Sequence, residues 1–104
     1  MDQDDAAHVR SIRAAIQAER KLIADLDSKV KAPGLKVYLE QAASLLDFAE
    51  FGVLDPKLLQ EPRSKAALSS WIGNAEKFLR YGIDQRGYVD EVLKTYGPDV
   101  RAFP

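Results

Sequence analysis

From Val9 to Val30 the apolar residues of this chain recur at the spacing of a helix: Val9, Ile12, Ile16, Ile23, Leu26 and Val30. At about 100° per residue they fall on one stripe, which must pack against other elements to leave water. The stripe has a flaw near its centre. Glu19 stands where an aliphatic side chain is expected. A carboxylate there is either buried with a partner or marks a stretch of helix that overhangs its bundle. Burying an unpaired charge is costly, and fully buried glutamate is rare. The expected arrangement is therefore a Glu19 that reaches water. If it is buried, Tyr38, Lys77, Arg80 and Tyr81 are the candidate partners.

The flanks of this segment suit a helix over about residues 4–31. Asp2, Asp4 and Asp5 favour its N-terminus and Lys29 and Lys31 its C-terminal end. Pro33-Gly34 then breaks the pattern. A second helix is predicted over 35–51. Its main apolar face is Leu35, Tyr38, Leu39, Ala42, Leu45, Leu46 and Ala49, with Val37, Phe48 and Phe51 on another side. A helix apolar over so much of its circumference is expected to be central. Asp55-Pro56 reads as the cap of one short turn in the connection. A third helix is predicted over 63–82, with Leu68, Trp71, Ile72, Ala75, Phe78, Leu79 and Ile83 on its apolar face. Gly73 falls on its solvent side, and Gly82 reads as a stop or a bend. A short fourth helix over 87–96 carries Tyr88, Val89, Val92, Leu93 and Tyr96, and Gly97-Pro98 ends it. Residues 98–104 read as a flexible tail. No strand-like alternation competes. The expected fold is an all-α bundle of three main helices plus a short C-terminal helix, in one domain spanning 1–104.

Composition narrows the functions open to such a bundle. The net charge is −1, so no global field draws the chain to nucleic acid or an acidic membrane. There is no cysteine, which excludes disulfides, thiolate metal sites and thiol nucleophiles. His8 is the only imidazole, and it has no Glu three residues before it as a carboxylate-bridged metal pair in a bundle requires. Ser69 and Ser70 lack an evident base. Gly52, Gly73, Gly82, Gly87 and Gly97 are spaced as helix punctuation, not as a phosphate loop. No catalytic residue, cofactor or metal is expected. The acidic start, Met1 to Asp5, is unlike a signal sequence, and no apolar run approaches a membrane span. The cytoplasm is the default expectation. Trp71-Ile72-Gly73 shares a W-x-G tripeptide with small secreted helical-hairpin proteins, but here it lies inside a helical pattern. The C-terminal Tyr-x-x-x-Asp/Glu signal is also missing, since Val92 follows Tyr88 and Val100 follows Tyr96 at that offset.

Three functional expectations remain. The first is a protein–protein interaction module whose partner is another protein or a second copy of itself in a dimer, with Val37, Phe48, Phe51, Leu54 and Leu58 as the interface. A second apolar face on the second helix needs a cover. The segment Val53–Gln60 with the last helix could provide it within the chain, or a partner could. The second is a nucleic-acid-associated regulator using a basic face of Arg10, Arg13, Arg20 and Lys21, beside Gln17. The third is a small-ligand site in the bundle near Glu19, Tyr38 and Tyr81.

Overall fold

The structure is a computed structural model that describes residues 3–54 and 65–102. Three helices make it up: α1 (Gln3–Lys29), α2 (Pro33–Leu54) and α3 (Lys65–Tyr96), with no strand among the described residues. They lie side by side as a rod of 51 × 19 × 19 Å. The radius of gyration is 16.2 Å, against about 13 Å for a globular chain of this length. A thin rod has much surface for its volume, which leaves helix faces exposed.

The turn from α1 to α2 is short. The Val30 N–H donates to the Leu26 carbonyl (2.9 Å), and the N–H groups of Leu35 and Lys36 both return to the Ala32 carbonyl (3.1 and 3.2 Å). Ala32 thus caps α2, and Pro33 opens it. A proline at a first helical position loses no hydrogen bond and brings a helical φ with it. At its other end α2 runs past the expected stop at Phe51 to Leu54. Gly52 stays helical where α3 comes close: a Cβ there would meet the Ala75 Cβ at 3.5 Å and the Trp71 carbonyl oxygen at 3.7 Å.

The C-terminal half corrects the expected architecture. In place of a third helix ending near Gly82 and a separate short fourth, a single helix of 32 residues runs from Lys65 to Tyr96. Gly82 is buried against α2. A Cβ built on it would lie 3.0 Å from Leu46 Cδ2 and 3.3 Å from the Ala42 carbonyl oxygen. The glycine permits close approach of two helices, and their packing offsets its poor helix propensity, about 1 kcal/mol relative to alanine. Ile83, expected on the apolar face, is 37% exposed in the continuous helix. The helix ends where the sequence places its end. Gly97 has φ +89°, and its N–H donates to the Leu93 carbonyl at 2.9 Å, the left-handed cap that glycine supplies without strain.

The core is aliphatic. Ile16, Leu35, Leu39, Leu46, Val53 and Val89 are its largest fully buried side chains. α1 contributes Val9, Ile12, Ile16, Ile23 and Leu26. Trp71, Phe78 and Leu79 of α3 pack around the edge. The expected flexible tail is held at two points. Lys31 Nζ donates to Asp99 Oδ1 at 2.5 Å, and Val100 packs on the core. The Asp55-Pro56 turn, the start of the third helix at 63, the Leu68 side chain and Phe103 fall outside the described residues.

Candidate functional site

Glu19 is buried, only 5% exposed, which overturns the expectation that it reaches water. Its partner is Arg86 of α3. Arg86 Nε donates to Glu19 Oε2 at 2.6 Å and its Nη2 to Oε1 at 3.0 Å. The remaining edge of the guanidinium, Nη1, donates to Asp90 Oδ2 at 2.6 Å, one turn along α3. A planar fork matched to a carboxylate is the strongest side-chain pairing a protein commonly makes. Hydrogen bonding to Glu19, then to Asp90, raises the Arg86 pKa above its ordinary value against the opposing effect of burial. None of the partners expected from sequence takes this role. Tyr38 instead stacks against Tyr88, ring centroids 4.9 Å apart. Tyr81 is 44% exposed, with Lys77 Nζ 5.9 Å from its ring centroid. The three residues of the expected ligand site therefore each engage a different neighbour.

The basic face of α1 is partly turned inward. Arg13 Nε donates to the Val53 carbonyl at 3.0 Å. Arg20 donates through Nη2 to Asp47 Oδ1 at 2.8 Å and also to Glu50. Hydrogen bonding to Asp47 raises the Arg20 pKa, with Glu50 adding to it. Arg10 and Lys21 are exposed. His8 is exposed in the first turns of α1 and pairs with Glu76 of α3. Lys36 of α2 reaches Asp27 of α1 at 3.5 Å. These pairs all join α1, or the turn after it, to the other helices. α2 and α3 meet differently, through small residues and through the aromatic pairs Tyr38–Tyr88 and Phe48–Phe78.

The outer side of α2 is where large apolar groups face water. Val37 is 49% exposed, Phe48 62% and Phe51 77%. They lie with Gln41 and Ser44, also exposed, on one stripe at spacings of four, three, four and three residues. Phe48 has an edge contact with Phe78 of α3, ring centroids 5.5 Å apart. Beside the stripe runs an open groove between α2 and α3, lined by Val37, Glu40, Gln41, Ser44, Leu45, Phe48 and Gln85. Gln85 Oε1 is buried there and accepts no hydrogen bond from the described residues. A buried carbonyl left unpaired costs about 1–3 kcal/mol. The Leu54 side chain and Leu58, expected in the same interface, lie outside the described residues, as does most of the Val53–Gln60 segment expected to cover it.

Among the described residues no group of three or more His, Cys, Asp or Glu could hold a metal ion. No helix of the described residues is long and apolar enough to cross a membrane. Compared with protein-family models, with curated proteins and with solved structures, the chain matches none.

Proposed function

We propose that the chain acts by protein–protein contact through the outer stripe of α2, without catalysis of its own. The observation that carries this reading is the exposure of Val37, Phe48 and Phe51 on one stripe of a helix whose opposite side already fills the core. Two phenylalanines in water are unfavourable to the isolated chain, and aromatic side chains are the usual anchors of protein interfaces. The polar residues between them would set register. The basic face of α1 supports nucleic-acid binding less well, because Arg13 and Arg20 are engaged with α2. The charged pairs that fix α1 give the stripe a rigid support, which favours recognition by a preformed surface.

A photoreactive phenylalanine analogue at position 48 or 51 tests this in the native source. The expected result is a covalent adduct of discrete mass containing a second polypeptide, absent when the analogue replaces Gln17 on α1. Equal labelling from all three positions, or none from 48 and 51, would refute the reading.

A further inference from the structure

We infer that the occupant of this stripe is a second copy of the chain, laid antiparallel across α2 with Ser44 on the two-fold axis. This rests on the stripe being a contact surface. The first argument is spacing. α2 carries two seams with the four-three periodicity of a coiled coil. Leu35, Leu39, Ala42, Leu46, Ala49 and Val53 face the core, and Val37, Gln41, Ser44, Phe48 and Phe51 face out. The second seam is suited to another helix as the first is.

The order of residues along the outer seam selects the orientation. Its small residue, Ser44, is central and its apolar residues lie at the ends. In an antiparallel pair centred on Ser44, Val37 faces the partner's Phe51 at both ends, and Gln41 faces the partner's Phe48. The two serines meet in the middle, where small side chains let the backbones approach. A parallel pair would crowd Phe48 and Phe51 against themselves at one end. The antiparallel pair closes on itself by a two-fold axis, the commonest symmetry of oligomers.

The charges beside the seam agree. The contacts of Phe48 with Phe78 and of Tyr38 with Tyr88 put Gln85 level with Gln41. Lys77 lies toward the Phe48 end of the groove and Glu91 toward the Val37 end, both exposed. The two-fold sets these opposite charges against each other, which aids register.

The test uses the full chain. It has no cysteine, so Ser44→Cys introduces a single thiol. Under mild oxidation it should link two chains, giving twice the 11.6 kDa chain mass, while Gln17→Cys should stay single. Val37→Lys and Phe51→Glu should each weaken the dimer about tenfold or more, and the double variant should recover it, because each new lysine then faces a new glutamate. Circular dichroism confirms that the variants keep their helix content. A monomer mass for the unmodified chain at millimolar concentration overturns the dimer. If such a monomer still yields adducts of a different polypeptide at positions 48 and 51, the contact surface stands and only the second copy is lost. A dimer whose Ser44→Cys thiols do not join, or whose mass ignores Val37→Lys and Phe51→Glu, overturns the seam.

Discussion

A charge on an apolar stripe is tolerable when every polar atom around it has a partner, and the Glu19–Arg86–Asp90 group meets that condition. The group nonetheless adds less stability than its short distances suggest, because two charges had to leave water to form it. Its effect is asymmetric. Arg86→Ala strips a glutamate that is 5% exposed and should cost about 3–5 kcal/mol. Replacing both Glu19 and Arg86 with leucine should recover most of that loss. Denaturant unfolding of the two singles and the double decides it; a double no better than its worse single would show that the pair does more than satisfy itself. Asp99 gives a prediction in pH. The hydrogen bond and charge of Lys31, with a smaller contribution from Arg101, hold its pKa below the ordinary 3.8. A depressed carboxylate lends stability that is fully present above 3.8 and lost as pH falls through its folded value. Lys31→Ala should return the Asp99 titration, followed by carboxyl carbon NMR, to near 3.8; an unchanged titration would mean the tail is not tied there. At this scale the sequence exposes the anomaly but not its answer. Glu19 is visible because it breaks a period. Arg86 is hidden because the pattern assigns residues 84–86 to a gap between helices, where a guanidinium draws no attention.

That gap is the chief misreading at the level of elements, and Gly82 explains it. Glycine inside a helical period reads as a stop, since propensity alone disfavours it. What the one-dimensional pattern omits is the neighbour: Leu46 and the Ala42 carbonyl occupy the space a Cβ would need. The same residue type elsewhere in α3 makes the control. Gly73 has nothing within 4 Å of a built Cβ, as its place opposite the apolar face predicts. Gly73→Ala should therefore stabilise the chain by about 0.5–1 kcal/mol. Gly82→Ala should instead destabilise it, by roughly 1 kcal/mol, because α2 and α3 must move apart by a few tenths of an ångström. Thermal unfolding of both variants is the measurement, and a gain in stability at Gly82 would refute the close-approach explanation. The other element boundaries were readable where local chemistry decides them. Gly97 caps α3 as expected, and the acidic first turn and Lys29 frame α1. Pro33 was visible as punctuation, though it opens α2 and does not close α1.

On the scale of the whole molecule, the fold is two kinds of interface in one rod. Small and aromatic side chains join α2 to α3, and ion pairs add to the aliphatic face that joins α1 to both. That arrangement spends the inward side of α2 on the core and leaves its outward seam of Val37, Phe48 and Phe51 in water. The sequence shows this second face directly, as apolar residues at helical spacing on the wrong side. It does not show what covers the face, because burial depends on the arrangement of three helices and on other chains. The role proposed for this seam is association and not folding. Sedimentation equilibrium of the unmodified chain beside Phe51→Glu tests it most directly. Phe51 is 77% exposed, so the variant should fold with unchanged helix content. Twice the 11.6 kDa mass is expected for the unmodified chain and the single mass for Phe51→Glu at the same concentration. One and the same mass for both would contradict it.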